Sequence, residues 1–412
     1  MVDRFNNRKI INDPIYGFIR VPSSLIYKII DHPFFQRLRR IKQTGFTSLV
    51  YPGANHTRFQ HSLGAMDLMR RAISALRNKG YEITEEEEHA ALIAILLHDI
   101  GHGPFSHSLE HSIVKDVSHE ELSILFMKRI NKEFDGELDL AIQIFEGTYK
   151  KKFLHQLVSS QLDMDRLDYL KRDSFYTGVS EGVVSVDRII SMLEVVNDEL
   201  AVEQKGIYNI ENFIVARRLM YWQVYLHKTV IVSETLLINI LLRARELVHN
   251  GVEVWATPAL KYFLKKHYNK EDFQDLSVLT MFSQLDDYDV MISIKQWLNH
   301  PDKILSMLAD NIINRKLPAI ILQKDHFKID EIIKLRKRAS QLYDISEEEV
   351  DYIINYDHTS NLAYNPELGR INILFRDGHV EDVSNAADQL NISVLSHSVV
   401  KHFLIYPKEL RD

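Results

Sequence analysis

An unbroken apolar run, Ala90-Ala91-Leu92-Ile93-Ala94-Ile95-Leu96-Leu97, leads straight into His98-Asp99-Ile100-Gly101-His102-Gly103-Pro104-Phe105-Ser106-His107-Ser108-Leu109-Glu110. A helix that is apolar on every side belongs inside a core, so the polar residues at its end are carried in with it. Thr84 and Glu87 form a Thr-x-x-Glu capping box that starts this helix, and Gly101 stops it. Whatever fold the chain adopts must therefore present His98 and Asp99 at a buried helix end, where both side chains can turn to one cavity. Neutral imidazole beside carboxylate suits borderline to hard divalent ions such as Zn, Mn, Fe, Ni or Co. A metal site is the first functional hypothesis.

Composition narrows the chemistry. The chain has no cysteine, so disulfides, thiolate nucleophiles and cysteine-ligated metals are excluded, and any ion must be held by His and carboxylate. A net charge of −7 argues against a protein whose main task is to coat nucleic acid. No stretch approaches the roughly 18 apolar residues of a membrane span, so a cytoplasmic protein without a membrane partner is expected. At 412 residues the chain exceeds one ordinary core and predicts two lobes.

Read in order, residues 9–21 predict a short β-hairpin, the one strand signal before residue 200. Pro22-Ser23-Ser24 starts a helix, and Asp31-His32-Pro33 breaks it and opens another that carries Arg37, Arg39, Arg40 and Lys42. Residues 45–56 read as a loop, and the segment Thr57-Arg58-Phe59-Gln60-His61 leads into a helix that ends near Lys79-Gly80. From about residue 118 to 300 the apolar spacing is helical throughout, with one helix over 153–176 holding Asp163, Asp165, Asp168 and Asp173. Asp377-Gly378 marks a hairpin, followed by a strand near His402 to Pro407. The fold class expected is mostly α: a helical body over 1–302 with an N-terminal β-hairpin, then a small α+β lobe over 303–412. The basic clusters at 37–42 and at Lys150, Lys151 and Lys152 are either solvated helix faces or anion sites.

A mononuclear site needs three or more protein ligands with positions open for water or substrate. His61, His98 and Asp99 supply three, and a helix carboxylate such as Asp165 a fourth. Taken alone, His61 reads equally well as a packed imidazole at a helix start, and Asp165 as part of a solvated face. Gly101, Gly103 and Pro104 keep His102 and His107 close to the ion, and Glu110 stands three residues from His107, a spacing that orients an imidazole. Phosphate ester hydrolysis is the natural chemistry. Arg58, Arg166, Lys171, Arg172 and Arg217 are candidate partners for phosphate charge, and spacing does not choose among them.

The set His61, His98-Asp99, Asp165 resembles the H…HD…D signature of HD-domain phosphohydrolases. The closer similarity is to the deoxynucleoside triphosphate (dNTP) triphosphohydrolase branch, which includes the SAM and HD domain-containing enzyme of animals and bacterial dGTPases. It is carried by Asn12 to Gly17, Phe35 to Arg39, Ile41-Lys42-Gln43, His56 to Gly64, His98 to His107, Asp165 to Tyr169 and Ala387 to Ile392. The resemblance implies a helical HD fold that hydrolyses a dNTP, with a preference for dGTP, to deoxynucleoside and inorganic triphosphate. His61, His98, Asp99 and Asp165 would be the metal ligands. His107 with Glu110 would be the catalytic imidazole pair, and His102 and His119 would line the phosphates. Arg58, Arg166, Tyr169 and Arg217 would bind phosphate, Gln43 and Asp173 would read the 3′-hydroxyl, and Tyr225 would pack beneath the sugar. Lys9, Asp31, Gln36 and Arg39 would hold a dGTP or GTP activator. The implied cofactor is one divalent metal (Mn favoured over Fe, Zn, Ni, Co or Mg), with a second Mg on the nucleotide phosphates, and the implied assembly is a homo-oligomer, dimer or tetramer. Tyr221 and Glu110 stand where the animal enzyme has His and Asp. Two other readings are another HD hydrolase, a nucleoside monophosphatase or phosphodiesterase, and a protein that senses nucleotides or single-stranded nucleic acid.

Overall fold

The computed structural model of the chain describes residues 9–105, 114, 117–367, 369–387 and 398–411. His107 and Glu110, and residues 388–392 of the C-terminal motif, lie outside the described residues. The fold is mostly α, as the apolar spacing predicts, with strands confined to small sheets.

Strands β1 (Ile10–Asp13) and β2 (Gly17–Arg20) form the N-terminal hairpin in antiparallel register. Asp13 builds its turn, since its Oδ1 accepts from the backbone N–H of Ile15 (2.8 Å) and Tyr16 (3.0 Å), and Gly17 supplies the positive φ of +74° that closes it. Ser23 caps α1 (Ser24–Asp31), and α2 (Pro33–Gln36) is one turn long. The basic cluster does not lie on a helix face as expected: its three arginines occupy a tight 3-10 turn, Arg37–Arg40, that rotates Arg37 into the core, and Lys42 follows in an isolated bridge to Thr57. Arg37 is fully buried, donates to the carbonyls of Ile100 (2.7 Å) and Leu285 (3.2 Å), and lies over the rings of Phe126 and Phe282. It is neither a solvated residue nor an anion site.

The helices α3 (Arg58–Asn78) and α4 (Glu85–Leu97) pack on each other. The capping box at Thr84 and Glu87 is present, and α4 is buried from Ala90 to Leu97. Helices α5 (His119–Glu133), α6 (Asp139–Phe145) and α7 (Lys152–Val158) follow, then α8 (Met164–Thr177), which packs along α3. The single helix expected over 153–176 is thus two. Asp163 divides them by capping α8, its Oδ1 accepting from the Arg166 N–H (2.7 Å) and its Oδ2 from Ser160 N–H (2.8 Å). In the second basic cluster, Lys151 meets the Glu87 carboxylate at 2.6 Å, and the neighbouring Tyr149 hydroxyl donates to the same carboxylate (2.6 Å).

After α9 (Val186–Ser191) the chain departs from the all-helical expectation for 118–300: β3 (Leu193–Val196) and β4 (Glu199–Glu203) form a hairpin. Its two-residue turn, Asn197-Asp198, has φ of +51° and +65°, values that Asn and Asp tolerate best among residues with a side chain. α10 (Ile207–Met220) runs through a π-helical turn, Tyr221–Tyr225, into α11 (Lys228–His249). Then come α12 (Pro258–Leu264), α13 (Leu276–Gln284), α14 (Asp287–Trp297), α15 (Lys303–Ile313), β5 (Ala319–Gln323) and α16 (Ile329–Tyr343). The last strands are β6 (Asn355–Asn361), β7 (Asn372–Leu374), β8 (Val380–Asp382) and β9 (Val399–Tyr406). The hairpin expected at Asp377-Gly378 is β7–β8, and β7 pairs parallel with β4, so one sheet of order β3-β4-β7-β8 joins residues from both halves of the sequence. β9 is the central strand of a second sheet, β5-β9-β6.

Candidate metal centre and cavity

His61 projects from the first turn of α3, His98 and Asp99 from the end of α4, and Asp165 from the first turn of α8. Three elements distant in sequence converge here. His61 Nε2 lies 3.2 Å from His98 Nε2 and 3.0 Å from Asp165 Oδ1, and His98 Nε2 lies 3.4 Å from an oxygen of both Asp99 and Asp165. His61, His98 and Asp99 are buried, and their ligand atoms sit close enough to share one ion. Asp165 completes the set from the more exposed side.

Hydrogen bonding fixes what these atoms offer. His61 Nδ1 donates to Asp168 Oδ2 (2.8 Å) and His98 Nδ1 to the carbonyl of Ile95 (2.6 Å). With both Nδ1 atoms committed as donors, both Nε2 atoms carry lone pairs. Two lone pairs 3.2 Å apart beside two carboxylates repel unless a cation stands among them. Without an ion, a proton serves: burial pulls the His61 pKa down, but the hydrogen bonds to Asp165 and Asp168 outweigh it and push it up to about 10. Burial acts to raise the Asp165 carboxyl and the two imidazoles hold it well below the usual carboxylate range. The donor set therefore fits a divalent ion.

The backbone that presents His98 and Asp99 is clamped from two sides. Ser123 Oγ, on α5, donates to the His98 carbonyl (2.7 Å) and accepts from Gly101 N–H (2.9 Å), while Arg37 holds the Ile100 carbonyl. Gly101 is required for this approach, since a Cβ there would sit 2.1 Å from the His119 carbonyl oxygen and 2.4 Å from the Ser123 nitrogen.

The centre floors a cavity of about 830 Å³. Of the residues singled out in the sequence, Gln43, Arg58, His98, Asp99, His102, His119, Asp163, Asp165, Arg166, Tyr169, Asp173, Tyr221 and Tyr225 line it. His61 lies behind the lining. Arg217 is buried and holds Gln161 Oε1 (3.1 Å). Arg58 donates to Asp99 Oδ2 at 2.5 Å, and against the effect of burial it holds that carboxyl well below its ordinary value. The rings of His102 and His119 stack with centroids 3.8 Å apart. Burial, with Arg58 adding to it, holds the His102 pKa well below the usual imidazole value, so this ring is neutral. At another wall Tyr225 donates to Asp173 Oδ2 (2.6 Å), and His56 Nε2 meets Asp173 Oδ1 (2.6 Å). The Tyr169 hydroxyl and Gln43 Oε1 are buried and have no hydrogen-bond partner among the described residues.

None of the postulated activator residues lines the cavity: Arg39 Nε donates to Gln36 Oε1 (2.8 Å) and its guanidinium covers the Phe59 ring, with the Asp31 charge close by. Lys9 Nζ meets the Tyr27 hydroxyl (3.0 Å) on α1. Arg172, read from sequence as a phosphate partner, is wholly buried between Asp168 and Asp13. Sequence reasoning missed the supporting roles of Asp13, Arg37, Ser123 and Asp168, and the cavity positions of Thr44, Glu120, Glu146 and His155. None of these stands out by spacing. The nearest signal is the three-residue step from Asp165 to Asp168, which puts both on one face of α8.

A helical body that converges two histidines and two carboxylates on one cavity has the donor set of a divalent-metal site. Residues 58–173 match the HD domain family and residues 184–254 the HD associated region. The chain is 32% identical to the uncharacterized protein YwfO of Bacillus subtilis, over 99% of this chain and 94% of that one. It is 53% identical to a phosphohydrolase from Bacteroides thetaiotaomicron of known crystal structure, with a TM-score of 0.94 over 97% of this chain and 100% of that chain. Human deoxynucleoside triphosphate triphosphohydrolase SAMHD1 is 31% identical over 58% of this chain, which spans 45% of that relative's length. The chain belongs to the HD domain hydrolase family.

Proposed function

We propose that this protein hydrolyses deoxynucleoside triphosphates, separating the deoxynucleoside from an intact inorganic triphosphate. The observation that carries the reading is the arrangement of one cavity. Three of the metal ligands, His98, Asp99 and Asp165, line it together with Arg58, Arg166 and the stacked His102 and His119, and so does the Asp173–Tyr225 pair. His61, His98, Asp99 and Asp165 would hold the ion, which when bound polarises a phosphoryl oxygen and lowers the pKa of a water.

The chain's own groups bind and orient. Arg58 and Arg166 set positive charge beside the phosphates. Neutral His102 can donate one hydrogen bond to phosphate oxygen without a charge of its own. The Tyr169 hydroxyl and Gln43 Oε1, without partners among the described residues, are a donor and an acceptor suited to a polar ligand. Asp173 can accept from a sugar hydroxyl, and Tyr225, held by its bond to Asp173, would pack beneath the sugar and so favour deoxyribose over ribose. His107 with Glu110 would protonate the leaving 5′-oxygen. The name and moderate identity of SAMHD1 support the substrate class.

The test is hydrolysis of each dNTP by the purified protein with Mn²⁺, with product identification. Triphosphate with deoxynucleoside is the expected pair, and dGTP the expected best substrate. Orthophosphate or pyrophosphate as the first product would mean that a bond within the triphosphate chain breaks instead of the bond to the 5′-oxygen, and would remove the reading.

A further inference from the structure

The turn Asn12-Asp13-Pro14-Ile15-Tyr16-Gly17 is one of the most distinctive stretches of the sequence, yet none of its residues lines the cavity. Its contacts lead to the metal centre by another route. While Oδ1 of Asp13 caps its own turn, Oδ2 accepts from Arg172 Nη1 (2.7 Å). The same guanidinium donates to both oxygens of Asp168, from Nε at 2.8 Å and Nη2 at 3.0 Å. Asp168 Oδ2 in turn takes the Nδ1 proton of His61 at 2.8 Å. These four side chains are at most 4% exposed. The Tyr16 ring covers Arg172 from the side, its centroid 5.7 Å from the guanidinium carbon. α3 admits the pair only because position 64 is glycine: a Cβ there would fall 2.0 Å from Asp168 Oδ1 and 2.2 Å from Arg172 Nη2.

We propose that this N-terminal turn is a positioning element of the metal centre. Asp168 between His61 and Arg172 accepts from both, and because it is fully buried it needs a full positive partner to remain an ionised acceptor. Arg172 is that partner, and Asp13 supplies the second negative charge that keeps a buried guanidinium in place and aimed along α8. Removing Asp13 leaves one carboxylate for Arg172 and lets the guanidinium turn, which releases Asp168 and with it the orientation and tautomer of His61. Partners behind a metal-bound imidazole typically govern metal affinity by about 10- to 100-fold. The inference rests on the reading that His61, His98, Asp99 and Asp165 hold a divalent ion, and it does not depend on the substrate.

The experiment is a Mn²⁺ titration, followed by the loss of the free-ion electron paramagnetic resonance signal, of the full chain and three variants. Asp13→Asn keeps the size of the side chain and removes its charge; it should weaken Mn²⁺ binding about tenfold, and Asp13→Glu should restore part of the loss. Ile19→Ala, on β2 of the same hairpin and buried, should lower the thermal midpoint and leave Mn²⁺ affinity as in the parent. In an Asp168→Asn background, Asp13→Asn should add no further loss. Unchanged affinity in Asp13→Asn, or an equal loss in Ile19→Ala, overturns the proposal by reducing the turn to a structural element. Should Asp13→Asn not fold, Tyr16→Leu removes the ring over Arg172 with Asp13 in place, and an unchanged affinity there overturns it equally. A parent chain that binds no Mn²⁺ would instead remove the metal reading beneath it.

Discussion

Asp165 shows how a single side chain can hold a centre together. It is the one carboxylate within 3.0 Å of His61 Nε2 among the described residues, and it reaches His98 Nε2 as well at 3.4 Å. Its loss leaves the imidazole pair with Asp99, which Arg58 already neutralises. Asp165→Ala should therefore abolish the rise in thermal midpoint that Mn²⁺ gives the parent, a stabilisation of about 2.7 kcal/mol at a hundredfold excess over Kd. Differential scanning fluorimetry with Mn²⁺ and with chelator reads this directly. His98 and Asp99 were legible in the sequence because an adjacent imidazole and carboxylate ending an apolar helix leave few other uses. Asp168 and Arg172 were not, because a helix carrying four aspartates and several cations reads as a wet face until α3 is packed against it. Arg37 was hidden for the same reason: a run of Arg-Leu-Arg-Arg says nothing about which guanidinium the 3-10 turn rotates inward.

Elements place these side chains by close approach and by backbone hydrogen bonds. α5 reaches the turn after Asp99 only where Gly101 has no side chain. Gly101→Ala must push α5 off that turn, breaking both bonds of Ser123, at a cost of about 1–3 kcal/mol for the overpacking. Activity should fall further than stability, because His119 moves with the helix; denaturant unfolding and the dNTP assay together test this. At the start of α14, Asp287 receives the backbone N–H groups of Lys42 (2.9 Å) and Phe105 (3.1 Å), tying down two loops beside Gln43 and the metal turn. Burial pushes its carboxyl up to about 6 despite those bonds. An acid whose pKa is higher folded than unfolded contributes stability present below the unfolded value, and that contribution is lost as pH rises through the folded value. The stability of the parent relative to Asp287→Asn should thus decline between about pH 4 and pH 6, by about 3 kcal/mol at most, in urea titrations across that range. Element types were legible where a cap or an apolar period marked them, as at Thr84 and α4. The break at Asp163 and the Asn197-Asp198 hairpin escaped because each turns on one or two residues inside an otherwise helical spacing.

For the molecule as a whole, the two halves of the sequence share structure that no local pattern reveals. β7 extends the sheet that β3 and β4 begin, through Ala201↔Asn372, Val202↔Ile373 and Glu203↔Leu374. Helix α11, whose Val230 and Glu234 line the cavity, is braced along its later turns by residues beyond 300. Arg243 Nη2 bonds Asp302 (2.6 Å) and Glu349 (2.9 Å), Asn239 Nδ2 donates to the Tyr352 carbonyl (3.0 Å), and the Tyr352 hydroxyl donates to Glu246 (2.8 Å). Arg243 is only 10% exposed in its side chain and also meets Glu246 (2.7 Å), so ending the chain at residue 302 takes Glu349 from this set and leaves Asp302 and Glu246. A fragment ending at residue 302 keeps every metal ligand and every described cavity residue, so a self-sufficient catalytic body would bind Mn²⁺ and turn over like the full chain. The shared sheet and the braces on α11 require the opposite: the fragment should unfold at a clearly lower denaturant concentration than the full chain, bind Mn²⁺ more weakly and lose most of its hydrolysis. Equal midpoints in urea for the fragment and the full chain would show that the later residues merely dock on a body that folds without them.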